Sequence, residues 1–410
     1  MSNKSTTLDF VPLLLGNDAN SYSMARAFHE AYGIMSIALA RSLKGPNDKS
    51  KIIDYRRRVD LLDGDTLSLE INAIAQEMPD KQVLVVACGD NYLESLVKQR
   101  DLLLQNVKVD HYIDNELREK LSLKENFYEL CDKFDIAHPK TFVYRQEMNH
   151  QIDLNFEYPV ILKPSNGVEY FANSFTGQHK VYFIENIKEL KETIDAIYAS
   201  GYSDSLIIQD TIPGDDSYMR VLTTYSDRNK KVKMTALGHV LLEEHTPSGI
   251  GNHAVILTEA NEELSAKVIN FLENIGYVGF ANFDIKFDKR SSAYAFFELN
   301  PRQGRSNFYV TNAGCNIAQL LVDDQINKKD LDLTTVTKDA LYTVVPKVLA
   351  RKYIQDSKTK AVFDSLYKTK VAVNPLFYRR DIGIIRMYRM SRRWVSHFYK
   401  YPKYYKPEVM

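Results

Sequence analysis

Cysteine is scarce: the 410-residue chain has 3, Cys88, Cys131 and Cys315, far apart and without a CxxC spacing. This excludes a zinc site of paired thiolates and a disulfide framework, and it suits a reducing compartment. Net charge is also missing, since 53 Lys and Arg balance 53 Asp and Glu. The molecule as a whole is therefore no polyanion binder, and no nucleic-acid motif is present. Near the start, an apolar run of roughly five residues ends at Gly16 and Asp18, too short for a signal-peptide core or a membrane span. A cytoplasmic protein is expected. Internal repeats and low-complexity tracts are lacking too.

What is present is core-forming material, 44% hydrophobic against 26% charged residues, the balance of a soluble globular protein. The length calls for two or three packed units. Phe10 to Leu15 and Val83 to Cys88 are continuous apolar runs, each followed by Gly with Asp or Asn and then a helical pattern, Ser23 to Tyr32 and Tyr92 to Leu104. Buried parallel strands alternating with helices give a small α/β domain. The Gly and acid at each strand end suit ligand contact at the carboxyl edge of such a sheet, or plain turn chemistry. A helix from Leu121 to Phe134 follows, with Lys124 in its first turn. The texture then becomes α+β: strands at Pro159 to Pro164, Lys180 to Glu185 and Ser205 to Asp210, and helices at Ile187 to Ser200 and Glu262 to Ile275.

The chemistry concentrates in one predicted hairpin. Along Gly279 to Phe287, alternation puts Asn282, Asp284 and Lys286 on one face and Ala281, Phe283, Ile285 and Phe287 on the other. Along Tyr294 to Asn300 it separates Glu298 and Asn300 from Ala295, Phe297 and Leu299. With the turn near Ser291, Asp284 lies opposite Glu298. Two acids facing each other across a strand pair repel unless a positive charge sits between them. Oxygen-only donors suit a hard divalent cation such as Mg2+; the competing reading is a solvated polar face screened by a lysine. Arg302 and Arg305 follow at once, and a guanidinium fork binds carboxylates and phosphates.

Lys163 in YPVILKPSNG, the segment IIQDTIPGDD, the strand FANFDIKF and FFELNPRQGRS occur in an order and spacing that resembles the ATP-grasp fold. The resemblance implies α/β and α+β architecture: a Rossmann-like domain over 1–118, an ATP-grasp domain over 119–330 with its small lobe at about 145–210, and a C-terminal extension over 331–410 completing the second lobe. It implies that Lys163 and Lys124 approach the phosphates of ATP, that Gln209, Asp210, Thr211 and Ile212 hold adenine, and that Asp216 reaches the ribose. Asp284, Glu298 and Asn300 would hold Mg2+, and Arg302 and Arg305 would serve catalysis. The phosphate loop, SNGVEYFANSFTGQ, carries only Gly167 and Gly177 where relatives are glycine-rich, and Gln209 stands where glutamate is usual.

At finer grain FVPLLLGNDANSYSMARAFHEAYG, ACGDNY, LGHVLLEEHTPSGIGNHAVI and ELNPRQGRSNF resemble the D-aspartate ligases of Gram-positive cell-wall synthesis. That likeness implies transfer of a D-aspartate side-chain carboxylate, activated by ATP, to the lysine ε-amine of a UDP-linked peptidoglycan precursor. A ligase for another acid and amine, and a nucleotide-binding regulator without turnover, are the rivals; the full set of Asp284, Glu298, Asn300 and Arg302 favours catalysis. Candidate substrate contacts are Arg220, His239, Ser306 and the loop from Thr246 to Asn252. Arg220 equally suits an ordinary salt bridge, and His239 and His245 a structural role. From Phe377 on the chain is basic and aromatic, the texture of a solvated domain end or of weak contact with an anionic membrane surface.

Overall fold

The computed structural model describes residues 8–246 and 249–405. It begins with the predicted parallel sheet: β1 (Phe10–Leu15), β2 (Ser36–Ala40), β3 (Ile53–Arg57), β4 (Gln82–Ala87) and β5 (Val107–Lys108), ordered β3-β2-β1-β4-β5. Helices α1 (Ala19–Tyr32), α2 (Thr66–Glu77) and α3 (Asp90–Lys98) alternate with them. All six β1 residues are buried, as the unbroken apolar run requires when both faces of a sheet are covered. Leu13, Leu15, Val83 and Val85 pack with Leu67, Ile71, Leu93 and Leu96 of the helices. Asp18 caps α1, accepting from the Asn20 and Ser21 amides at 3.1 Å; this is the turn-chemistry reading of that strand end.

The expected helix 121–134 is two helices, α4 (Asn115–Ser122) and α5 (Lys124–Lys133), because Leu123 turns to an extended conformation (φ −80°, ψ 120°). An antiparallel sheet follows, β6 (Thr141–Tyr144), β7 (Val160–Pro164), β8 (Tyr182–Ile184) and β9 (Leu206–Asp210), ordered β6-β9-β7-β8, with helices α6 (Gly167–Ala172) and α7 (Ile187–Ala199). The anticipated phosphate loop is thus partly helical. Asn166 caps α6 by accepting from the Glu169 amide at 3.1 Å, and the buried Tyr170 donates to the His179 carbonyl at 2.7 Å. One sheet face, with Val160, Leu162, Leu206 and Ile208, packs on Leu190, Ile194 and Ile197 of α7. Pairing of Lys163 with Ile207, and of Ile161 and Thr141 with Gln209, puts Lys163 and Gln209 on the opposite face.

The remaining sheet is formed by β10 (Met219–Ser226), β11 (Val232–Glu243), β12 (His253–Glu259), β13 (Gly279–Asp288), β14 (Ala293–Asn300), β15 (Thr334–Val336), β16 (Leu341–Thr343) and β17 (Ala372–Val373). Its order is β14-β13-β10-β11-β12-β16-β17, with β15 beside β11. Helices α8 (Glu262–Asn274), α9 (Phe308–Asn312), α10 (Ile317–Gln325), α11 (Lys347–Tyr353), α12 (Ser357–Lys368) and α13 (Ile384–Tyr404) complete the chain. Two compact units result: one has the residues up to Asn115 with Arg220–Asn282 and Asn300–Tyr405, the other Glu116–Met219 with Phe283–Leu299. The chain runs from one to the other along β13 and back along β14.

Within the first unit the C-terminal segment is tied to the parallel-sheet domain through Asp381, whose side chain is fully buried. It accepts from Tyr22 Oη at 2.7 Å, Ser50 Oγ at 2.8 Å and the Lys51 amide at 2.6 Å, and it pairs with Arg386 at 2.9 Å. A buried charge so satisfied is costly to break. Lys406 and Glu408 of the basic tail lie outside the described residues.

Gly279 opens β13 with φ +84°, and a Cβ there would lie 1.9 Å from the His111 carbonyl oxygen. Gly314 has φ +100° but would meet nothing nearer than Lys338 Cδ at 3.8 Å. Gly314→Ala should cost only the strain of a left-handed backbone, on the order of 1–2 kcal/mol. Gly279→Ala should cost clearly more, read as a larger drop in the urea midpoint; equal midpoints would show that the backbone at 111 yields freely.

Candidate active site

In the second unit α5, β7 and β14 bring together the lysines and acids singled out in the sequence. Lys124, the first residue of α5, has its Nζ 3.9 Å from Glu298 Oε2. Lys163 near the end of β7 sits 5.8 Å above the Phe297 ring, a cation on an aromatic face. Asp284 and Glu298 are in hydrogen-bond contact, a separation at which two carboxylates need a shared proton or a cation. Burial works to raise the Glu298 pKa, but Lys124, Lys180, the hydrogen bond with Asp284 and Lys163 together drive it well below the carboxylate range. Its side chain keeps 41% of its exposure, so water screens part of that field. For Lys163, burial comes first, then Lys124 and, after an opposing pull from Glu298, Lys180; the result is a pKa lowered to about 7. Lys180 carried no signal in the sequence beyond its charge.

The hairpin departs from strict alternation. Phe297, expected in the core, is only half-buried beneath Lys163, while Phe296 is 1% exposed and packs edge-on against Phe283 at 5.5 Å. Both faces of β13 are largely covered, so alternation there does not separate inside from outside.

The predicted adenine segment is held by its side chains. Gln209, 1% exposed, donates to Tyr128 Oη at 2.9 Å and Thr141 Oγ1 at 2.8 Å, and Tyr128 donates to the Phe297 carbonyl at 2.8 Å. This chain of bonds locks β9, α5 and β14 together and gives the unusual glutamine a structural use. Asp210 is gripped by both terminal nitrogens of Arg290, at 2.7 and 3.2 Å, and its amide donates to the Lys140 carbonyl at 2.9 Å. Thr211 and Ile212 lie beyond the strand; Thr211 Oγ1 is buried without a protein partner, as is Ser165 Oγ two residues after Lys163. Asp216 is 3% exposed and opens a 3-10 turn. A cavity of about 700 Å3 lies beside Asp210 and Thr211, lined also by Tyr158, Phe183, Gly214 and Arg290.

In the first unit Arg302 forks onto Asp90, both bonds 2.7 Å, donates to the Gln303 carbonyl at 3.1 Å, and reaches Asn300 Oδ1 at 3.3 Å. The acid after β4 thus binds a protein guanidinium. The segment is seated further by Gln303, fully buried, donating to the Ala87 carbonyl at 3.0 Å, and by Asn307 donating to Asn20 Oδ1 at 2.7 Å. Sequence reading missed these amides, since a lone Asn or Gln announces nothing before its partner is known. Arg305 lies 3.5 Å from Glu244 and keeps 28% of its side-chain exposure. Burial raises the Asp18 pKa against the pull of Ser21, Arg305 and Arg302. Ser306 is buried. Arg220 pairs with Glu259, the ordinary salt bridge, and sits across from His239 on β11. His245 is buried, its ring 4.5 Å from that of Tyr405. Pro247 and Ser248 of the candidate substrate loop lie outside the described residues.

No protein-family model matches the chain. It is 38% identical to the D-aspartate ligase of Enterococcus faecium (strain Aus0004) over 418 residues, 99% of each chain. The chain belongs to the D-aspartate ligase family. It is thus an ATP-dependent ligase that joins a carboxylate to an amine through a C–N bond. Its fold is the ATP-grasp fold behind a Rossmann-like domain, as the motif register implied. Among solved structures it resembles the biotin carboxylase domain of Hydrogenobacter thermophilus 2-oxoglutarate carboxylase, with MgADP, ADP and bicarbonate, at a TM-score of 0.62 and 15% identity over 81% of this chain and 73% of that one. It also resembles an L-amino acid ligase from Bacillus licheniformis, at a TM-score of 0.54 and 15% identity over 78% and 75% of the two chains. At such identities the likeness shows the fold alone.

In this D-aspartate ligase relative, Lys163 is expected to titrate near neutrality, fully charged well below pH 7 and neutral well above it. Removing the Glu298 carboxylate, whose charge favours the ammonium, by Glu298→Gln, should move that midpoint lower still. Carbon-detected NMR of the lysine ε-methylenes reads both; a midpoint near the ordinary lysine value would show the site to be wetter than its geometry indicates.

Proposed function

We propose that this ligase activates the side-chain carboxylate of D-aspartate and joins it to the lysine ε-amine of a UDP-linked peptidoglycan precursor in the cytoplasm. The end-to-end match to the Enterococcus faecium D-aspartate ligase supports the donor, and the acceptor rests on the motif resemblance of the sequence. Among the described residues no helix is long and apolar enough to cross a membrane. In the first step a carboxylate oxygen bonds to the γ-phosphorus as the bond to the β–γ bridging oxygen breaks, giving an acyl phosphate and ADP. In the second the amine attacks the acyl carbon, phosphate leaves, and the amine gives up a proton.

Lys124, Lys163 and Lys180 supply the positive field that a triphosphate needs, and the partnerless hydroxyl of Ser165, two residues after Lys163, offers it a hydrogen bond. Binding a phosphate beside Lys163 favours its charged form, so nucleotide uptake near pH 7 draws a proton onto it. Asp284 and Glu298, with the Asn300 amide two residues further along β14, are an oxygen donor set that fits Mg2+. Among the described residues no group of three His, Cys, Asp or Glu is gathered, and this set needs only two acids. Bound Mg2+ would neutralise phosphate oxygens. Arg302, its fork held by Asp90, positions the segment that carries Arg305. Arg305 beside Glu244 presents opposite charges suited to the carboxylate and ammonium of an amino acid.

Phosphate release from ATP, measured across D- and L-amino acids with the UDP-linked precursor as acceptor, should rise above background with D-aspartate. Release with another acid alone would reassign the donor, and none with any acid would leave a nucleotide-binding regulator. Asp284→Ala should lower turnover by at least about a thousandfold, since charge stabilisation at the transition state is lost, with the thermal midpoint nearly unchanged. Retained turnover would remove the metal assignment.

A further inference from the structure

Helix α13 is apolar on its outer side as well as its inner one, unlike an ordinary surface helix of a soluble protein. Its inward face carries Met390 and Tyr401 in the core, with Arg386, neutralised by Asp381, and His397 buried beside them. Its outward face carries Ile384, Tyr388, Val395 and Tyr399, spaced by four, seven and four residues and therefore aligned along one stripe. These are not grazing exposures: Ile384 is 92% exposed, Tyr388 67%, Val395 54% and Tyr399 68%. Ile385 and Phe398 widen the stripe. Such a contiguous apolar surface on a soluble protein marks an interaction site.

The charge around it selects the occupant. From Ile382 to Tyr405 the chain has six Lys and Arg and no acid. Arg392 and Lys403 are exposed on the helix, and Arg379 and Arg380 just before it. A second copy pairing through the same stripe would set these cations against their own images, which is unfavourable. An anionic lipid surface satisfies both features at once, because apolar and aromatic side chains settle at the headgroup boundary while cations meet phosphates. The helix spans 21 residues, about 31 Å at the rise of an α-helix, and it is too polar to cross a bilayer. Anchored along its inward face, it can lie only flat.

We propose that α13 is an interfacial helix that docks the ligase on anionic membrane surfaces. The full chain should co-sediment with vesicles of phosphatidylglycerol and phosphatidylcholine at least about tenfold better than with phosphatidylcholine alone, and high salt should release it. Val395→Glu with Tyr399→Glu, and separately Arg380→Glu with Arg392→Glu, should each reduce pelleting to the neutral-vesicle level while activity on soluble substrates stays as in the parent. Equal pelleting on both vesicle types, or pelleting unaffected by either pair, overturns the proposal. So does a concentration-dependent dimer in light scattering that the first pair abolishes, which would make the stripe a protein interface.

Discussion

Two carboxylates in contact are the constraint around which the second unit is organised. Asp284 and Glu298 sit on neighbouring strands at hydrogen-bond distance, and an isolated pair of that kind would push chains apart or hold a proton at neutral pH. Here the surroundings supply positive charge from three directions: Lys124 from the first turn of α5, Lys163 from β7, and Lys180 ahead of β8. The cost appears on the other side of the balance, where burial and neighbouring cations leave Lys163 only weakly able to keep its proton. A site in this condition gains from any ligand that brings negative charge to the lysines and positive charge to the acids, which describes a metal-bound nucleotide.

Rigidity around this cluster is provided by side chains that bond from one element to the next. Tyr128, Gln209 and Thr141 bind α5, β9 and β6 to one another, and Arg290 in the hairpin turn ties β13 to the end of β9 through Asp288 and Asp210. Arg302, Gln303 and Asn307 do the same work in the first unit, seating the segment after β14 on the edge of the parallel sheet. Precise placement of reacting groups depends on such support.

Much of the architecture was legible from one-dimensional pattern. Apolar runs gave β1 and β4, since a strand covered on both faces has no polar positions to spare. Helical periodicity and caps located α7 and α8 to within a residue of their ends. The reading failed where local pattern had competition: Leu123 broke a helix whose apolar spacing ran on without a gap, and Tyr170 drew part of an anticipated loop into α6 by burying its ring. Phe297 left the core position that alternation assigned it, and Phe296 took that place against Phe283.

By itself the sequence determined the family, the apolar strands β1 and β4, the helices α7 and α8, and the candidate charges Lys124, Lys163, Asp284 and Glu298, because apolar runs, helical periodicity and motif register survive without coordinates. Only the tertiary structure decided how those charges are used. It set Asp284 against Glu298 and added Lys180, spent the forks of Arg302 and Arg290 on Asp90 and Asp210, and left a second apolar stripe of α13 facing outward. Each of these depends on which residues distant in the chain become neighbours, and a side chain's electrostatic role is fixed by its partners and its access to water, neither of which a sequence displays.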